Sequence, residues 1–457
     1  MNKKKGFTLI ELLAIIVILA IIAVITVPLI LNIINDAQKN ASIDSAYGYK
    51  SALEKYYMKK VVENTENELP NGYKNISELP EDFIVSGETP SDGWVKLKKG
   101  LVDKFSLKYK DYVVTMDNDK NVVSEKKDNI DPRVPDEYQE VEYLESTGTQ
   151  YIDTEVIPKD NFKMIIDWYT NSVNSAYVAG ARKTGSSGGV SYPIVFGQGG
   201  SLTGSTVNAY AGGGLTVVNT NGNNWKRTAA GQRYCSLLST NGDLTYTYMI
   251  EDKTNNKKFE AKNVQYDSIA SNTEKIYLYA LNSMNIIEEM KLYNAKFYEN
   301  NTIVRNLVPV VRKSDNKSGL LDLSATNLFD KDAEGIINNK YITPSGTTGD
   351  SSNHFISDYI DVRGKKNIAI SNVTPQTIVY CSFYDSSKEL LSSFRYNVIP
   401  KIQEVPSDAN YVRCTVSKTM SSNFMLNEGT EALPYEPYKK SFYTNDGTGE
   451  FITGPEI

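Results

Sequence analysis

The chain has 457 residues, enough for about three domains, and a net charge of −6 that leaves no basic footprint for nucleic acid. It holds one histidine, His354, and three cysteines, which argues against histidine-based triads, His-rich zinc sites and a disulfide scaffold. Tyr, Asn, Thr, Ser and Gly dominate after residue 140, a composition that reads as extracellular β-structure with polar surfaces.

Lys3, Lys4 and Lys5 precede Gly6, and an apolar run then extends from Phe7 to Ile34 with one charge, Glu11, inside it. Such a run predicts a membrane-spanning helix, and the lysines keep the N-terminus cytoplasmic. A secretory signal would place its small residue after the apolar core, whereas Gly6 lies before it. Cleavage there would remove only the basic leader, residues 1–6, and leave the helix on the mature protein. A carboxylate inside a bilayer is costly unless paired, so Glu11 is a functional residue by default. Its natural partner is the α-amine that cleavage would create on Phe7, in the same or a neighbouring subunit. The alternative is a solvated charge at the level of the lipid headgroups.

Gly6-Phe7-Thr8-Leu9-Ile10-Glu11 resembles the processing site of type IV prepilins and pseudopilins. The resemblance implies cleavage after Gly6 and N-methylation of Phe7 by a prepilin peptidase. It also implies a contact between Glu11 and the Phe7 amine of another pilin subunit during assembly. Pro28 matches the proline that the family carries in the second half of its membrane-spanning stretch. The implied location is the cytoplasmic membrane, single-pass, before assembly and a cell-surface pilus afterwards.

The helix is predicted over 7–62, embedded to about residue 34, because Ala41, Ala46, Tyr49, Ala52, Leu53, Tyr56 and Tyr57 keep helical spacing. Pro28 is expected to kink or locally melt it. Strands are predicted at 93–97, 102–109, 112–116 and 121–124, separated by Gly- and Asp-containing turns. Helix and short antiparallel sheet together make a pilin-like α+β domain over 7–126. Pro90-Ser91-Asp92-Gly93-Trp94-Val95 resembles the globular part of Gram-positive pilins, with Trp94 read as a core anchor. Residues 127–136 are charged and proline-containing and read as a linker.

From Glu137 the run EYQEVEYLESTGTQYIDTEVIP resembles the opening of a concanavalin A-like, laminin-G-like domain. Residues 291–323 are similar to that family's closing strands, and short alternating segments at 162–169, 192–198, 246–251 and 275–282 lie between. The family's terminal tail is matched only at 441–457. The intervening 326–440 resembles a different β-sandwich module of phage tail and receptor-binding proteins. It carries the segments Ser357-Asp358-Tyr359-Ile360, Phe383-Tyr384-Asp385 and Tyr411-Val412-Arg413. The expected architecture is therefore multidomain. A pilin-like domain is followed by two all-β jelly-roll sandwiches, 137–325 plus 441–457, with 326–440 inserted. Three domains in series with a disordered tail is the alternative.

Chemistry is sparse. Glu140, Glu142 and Glu145 approximate the carboxylate cluster of sandwich-fold glycosidases, but on a regular strand Glu145 would point away from the other two. A solvated first-strand face is the stronger reading, and no catalytic residue is assigned. Trp168, Tyr169, Tyr210 and Trp225 are candidate platforms for an extracellular glycan or matrix ligand, each with core packing as the competing role. No cofactor is expected. Such sandwiches can hold structural calcium, yet no loop here has convincing ligand spacing. Cys381 and Cys414 fall in two candidate strands and could pair if those strands are adjacent, leaving Cys235 over; the alternative is three buried thiols. The expected function is a minor or tip pilin-like subunit displaying adhesive domains. A pseudopilin-anchored secretion component or a glycoside hydrolase is the runner-up.

Overall fold

The computed structural model describes the chain apart from residues 1–8, 64–68, 81–82, 118–119, 128–129, 136, 171–175, 185–189, 200–205, 212–213, 218–230, 281–288, 364, 375–378, 430–431, 434 and 437. Some side chains of the N-terminal helix and of the strands between 176 and 217 also lie outside the description. The chain divides into two units, Met1–Arg133 and Val134–Ile457.

The first unit is one long helix on a small sheet. Helix α1 (Leu9–Val62) has 54 residues, a length of about 80 Å at the usual rise. Its backbone stays helical through Pro28, so of the kink or local melting expected there, the melting does not occur. A proline there removes one backbone hydrogen bond and crowds the carbonyl four residues back, while the flanking turns keep their own bonds. The second half of α1 turns Ala46, Tyr49, Leu53 and Tyr57 inward, a spacing of three or four residues that lines one helical face. That stripe joins Val95, Leu97, Phe105, Leu107, Val114 and Met116 in a single core. Gly48 permits the close approach of the following segment, since a Cβ there would lie 2.1 Å from the Ser86 carbonyl oxygen.

The sheet is an antiparallel meander of β1 (Gly72–Asn75), β2 (Asp92–Lys98), β3 (Leu101–Tyr109), β4 (Tyr112–Met116) and β5 (Val122–Lys126), in that order. Trp94 is a core anchor, 5% exposed, and its indole N–H donates to the Asp131 carbonyl at 2.7 Å. That bond ties the segment after β5 back onto the sheet.

Among the described residues, the second unit is all β. In chain order its first strands are β6 (Tyr138–Glu140), β7 (Leu144–Thr147), β8 (Ile152–Asp153), β9 (Phe162–Thr170), β10 (Ala176–Thr184), β11 (Val190–Gly199), β12 (Thr206–Ala211) and β13 (Gly214–Val217). There follow β14 (Gln232–Thr240), β15 (Thr245–Asp252), β16 (Lys257–Gln265), β17 (Tyr277–Leu278), β18 (Glu289–Glu299), β19 (Thr302–Arg312) and β20 (Lys317–Asp322). The strand expected over 275–282 is thus only Tyr277–Leu278 among the described residues. One sheet runs β13-β12-β11-β10-β17-β8, and a larger one contains β16-β15-β14-β9-β18-β19-β20. Both contribute to one hydrophobic core: Ile152, Val178, Ala181 and Leu278 from the first sheet, and Phe162, Ile166, Trp168, Tyr248, Leu292 and Phe297 from the second. Alternation explains the larger sheet's share, since every second residue of β9, from Phe162 to Trp168, faces that core.

A second core follows. Its strands are β21 (Ile337–Ile342), β22 (Thr348–Ile356), β23 (Ile360–Asp361), β24 (Asn367–Ser371), β25 (Tyr380–Tyr384), β26 (Leu390–Arg395), β27 (Lys401–Glu404), β28 (Tyr411–Ser417) and β29 (Met425–Glu428). Phe329, Phe355, Val362, Ile370, Phe383, Val412 and Leu426 are among its buried side chains. Cys381 and Cys414 stand opposite each other on β25 and β28 and form a disulfide. Cys235 is a free, half-buried thiol that burial pushes up to about 11.

The chain then returns to the first core. Strand β30 (Phe442–Tyr443) pairs with β20, and β31 (Ile452–Thr453) pairs with β7. The two do not pair with each other, so the turn between them closes no hairpin of its own. Its polar residues dock on β8 and the residue before it instead: Asn445 accepts the Tyr151 N–H at 3.1 Å, and Asp446 accepts the Asp153 N–H at 2.8 Å. Tyr443 and Phe451 lie in the first core, with the Phe451 ring 5.2 Å from Tyr279.

Candidate functional site

Gly6 and Phe7 lie outside the described residues, and Glu11 and Pro28 are placed on α1 by backbone alone. Around them α1 shows a row of exposed apolar side chains, including Leu13, Ile16, Val17, Ile18, Ile30, Leu31, Ile33 and Ile34. These ask for an apolar surrounding or for neighbouring helices. Among the described residues, no helix is long and apolar enough to cross a membrane.

The aromatic candidates separate. Trp168 is in the core, 2% exposed, with its indole N–H on the Ser236 hydroxyl at 3.0 Å, so its ring offers no platform. Tyr169, one residue on, faces the opposite side of the larger sheet and is half-buried. The Tyr210 position lies on β12 opposite Val195, with its side chain outside the description, and Trp225 lies outside the described residues.

Tyr169 belongs to a constructed patch. Strand pairing sets Arg233 on β14 and Lys291 on β18 on either side of it, and Glu145 on β7 beyond Lys291. A bulge in β18 between Leu292 and Asn294 lets Tyr293 join the same face. The Arg233 guanidinium lies 3.8 Å from the Tyr293 ring centre, and the Lys291 ammonium lies 4.2 Å from that of Tyr143. Tyr143 and Tyr293 meet edge to face at 5.7 Å. Beneath them Asp167, its side chain 3% exposed, accepts a forked pair of bonds from Arg233 at 2.9 and 2.8 Å and a third from Lys253 at 3.0 Å. This buried carboxylate fixes the guanidinium under the tyrosine. Lys291 is held above the ordinary lysine value: burial works against its charge, but Tyr143 and Glu145 outweigh it.

The patch therefore presents three tyrosines with their hydroxyls, together with cations held by carboxylates. That set suits stacking and hydrogen bonding to a polar ligand with apolar faces. Tyr143, Tyr293, Arg233 and Lys291 were missed from the sequence. The period-two pattern of β9, with Lys163, Asp167 and Tyr169 at odd positions opposite the apolar even ones, was the signal that could have found this face.

The carboxylate run does not assemble into a shared site. Glu140 is buried on β6 against β19, whereas Glu145 lies on β7 and pairs with Lys291 at 3.8 Å. Among the described residues, no group of three or more His, Cys, Asp or Glu is placed to hold a metal ion.

Neither a curated protein nor a solved structure matches the chain. Residues 1–27 match the prokaryotic N-terminal methylation motif. That motif implies processing by prepilin peptidase, a membrane-anchored precursor and assembly with other pilins. The chain thus begins as a type IV pilin-like or pseudopilin-like precursor and continues into a mostly β-stranded remainder.

Proposed function

We propose that the protein is a minor or tip subunit of a type IV pilus that carries adhesive β domains outward from the cell. The methylation motif at residues 1–27, ahead of a helix that packs on a small sheet, carries this reading. In it, Gly6 marks the cut, Phe7 receives the methyl group, and Glu11 pairs with the Phe7 amine of a neighbouring subunit. The two β cores form two sandwiches, the second inserted between β20 and β30 of the first. The Tyr143–Tyr169–Tyr293 face binds an extracellular glycan. An adhesive role is favoured over hydrolysis because Glu140 and Glu145 lie on different strands and Glu140 is buried. The reading needs no cofactor.

Intact-mass measurement on the filament-assembled protein tests the assignment. The mature chain should begin at N-methylated Phe7, and Gly6→Val should keep the leader and stay out of filaments while still inserting in the membrane. A wild-type mature chain with any other first residue would overturn it. Tyr169→Ala should abolish glycan-array signals if the sheet face is the binding surface.

A further inference from the structure

The second β core gathers three segments that the first-core face does not use. Strand β23 pairs with β28 so that Asp361 faces Tyr411, and β25 pairs with β28 so that Tyr384 faces Tyr411 from the other side. Tyr359, just ahead of β23, completes the group. Its ring centre lies 5.1 Å from that of Tyr384 and 5.8 Å from that of Tyr411, both edge to face. All three rings are half-buried, so each keeps part of its surface in solvent.

Two cations lie over the Tyr359 ring. The Arg413 guanidinium is 4.5 Å from its centre and the Lys388 ammonium 4.6 Å. Arg413 is buried and spends its donors on main-chain carbonyls, Nε on Ser357 at 2.7 Å and Nη2 on Gly335 at 2.9 Å. It is a fixed positive charge beneath the ring. Lys388 is exposed at the β25–β26 turn, where its φ of 64° throws the chain back on itself. Among the described residues, neither cation forms an ion pair with a carboxylate.

The nearby acids are committed elsewhere. Asp358 accepts the Tyr359 N–H at 2.7 Å, and Asp361 is gripped by the Arg363 fork. Asp385 caps the turn by accepting the N–H groups of Ser387 at 2.8 Å and Glu389 at 2.9 Å. Only the exposed Glu389 carboxylate remains beside Lys388 in the chain. Burial raises the Tyr384 hydroxyl above the ordinary tyrosine value, so it stays a neutral donor across the physiological range.

We propose that Tyr359, Tyr384, Tyr411, Arg413 and Lys388 form a binding site for an acidic saccharide, a sugar bearing a carboxylate or sulfate. The C–H face of the sugar ring rests on the tyrosines, and its anionic group draws Lys388 off the Tyr359 ring into a charge-assisted hydrogen bond. The buried Arg413 charge adds to the attraction without moving. The net charge of −6 works against general attraction to polyanions, so binding has to come from a local site. The site is separate from the Tyr169 face and does not depend on it.

The test immobilises the full chain in detergent and measures binding of hyaluronan, dextran sulfate, neutral dextran and polyglutamate. Hyaluronan reads a carboxylate source and dextran sulfate a sulfate source. At least one should bind about tenfold or more tightly than both neutral dextran and polyglutamate, a gap of one decade in Kd. Lys388→Glu and Tyr411→Ala should each erase that advantage, and Tyr169→Ala should leave it intact. Should Tyr411→Ala fail to fold, Lys388→Glu, at an exposed turn, carries the test alone. The proposal is overturned if neither acidic sugar binds, if polyglutamate binds as well as they do, or if Lys388→Glu changes nothing.

Discussion

At the scale of single residues, the contrast of Trp168 and Tyr169 shows what a strand pattern reveals and what it hides. Phe162, Met164, Ile166 and Trp168 form one face of β9, and Lys163, Ile165, Asp167 and Tyr169 the other. The inward face was legible, because four large apolar side chains in alternation have one economical place to go. The outward partners were not. Arg233 and Lys291 lie more than fifty residues from Tyr169, and only strand register brings them beside it. Lys365 is a second product of long-range folding. Its side chain, 9% exposed, bonds Glu137 at 3.2 Å beside the first core and Glu428 at 3.0 Å on the second. Burial works against its charge, yet the two carboxylates hold it above the ordinary lysine value. A lysine raised in this way contributes stability throughout the neutral range and loses it only as pH rises through its elevated value. Lys365→Met should leave two carboxylates facing each other and cost about 1–3 kcal/mol, less than a fully buried pair because both keep some solvent. Urea unfolding reads the loss, and adding Glu137→Gln should recover part of it. A midpoint unchanged in Lys365→Met would show that the clamp contributes nothing.

At the scale of elements, β2 to β5 stood out because apolar alternation is broken by tight turns at Lys99-Gly100 and Lys110-Asp111, where Lys99, Gly100 and Lys110 adopt positive φ. Strand β1 did not, since Gly72-Tyr73-Lys74-Asn75 is half-buried throughout and shows no alternation. Strand β16 was hidden likewise: Lys257–Gln265 is exposed and lysine-rich, and it is a strand only because β15 supplies the pairing. Composition of that kind reads as a loop and protects a sheet edge from other chains. The tail is the reverse case, with short strands but large burial. Phe442, Tyr443 and Phe451 are at most 9% exposed, and burying each such ring contributes about 1.5–3 kcal/mol. A chain ending at residue 440 loses all three, a sum comparable with the whole stability of an ordinary domain, about 5–15 kcal/mol. It should melt far lower than the full chain or aggregate. Joining Leu323 directly to Lys440 should preserve the first core, because the Asp322 N–H already meets the Ser441 carbonyl at 2.7 Å. Equal melting temperatures for chains ending at 440 and 457 would refute this role for the tail.

At the scale of the whole molecule, the helical start and β-rich remainder were legible from composition, whereas the return of 441–457 beside the first core was expected from a family resemblance, and its particular pairings with β20 and β7 are set by no local pattern. The path of the chain through the second core has a consequence for how it withstands cutting. The disulfide joins Cys381 on β25 to Cys414 on β28, and between them lie exposed trypsin sites at Lys388 and Arg395. A single cut at either site produces two polypeptides but releases neither. The upstream piece keeps Tyr359 and Tyr384, the downstream piece keeps Tyr411 and Arg413, and the bridge holds them side by side. The downstream piece is also stitched to the first core through β30 and β31. Limited trypsin digestion should therefore give a nicked protein that runs as one band without reductant and separates into two with it. Separation without reductant of two pieces cut between Cys381 and Cys414 would show that the bridge does not form. On the proposed reading, a chain nicked there would keep both halves of the Tyr359 cluster side by side.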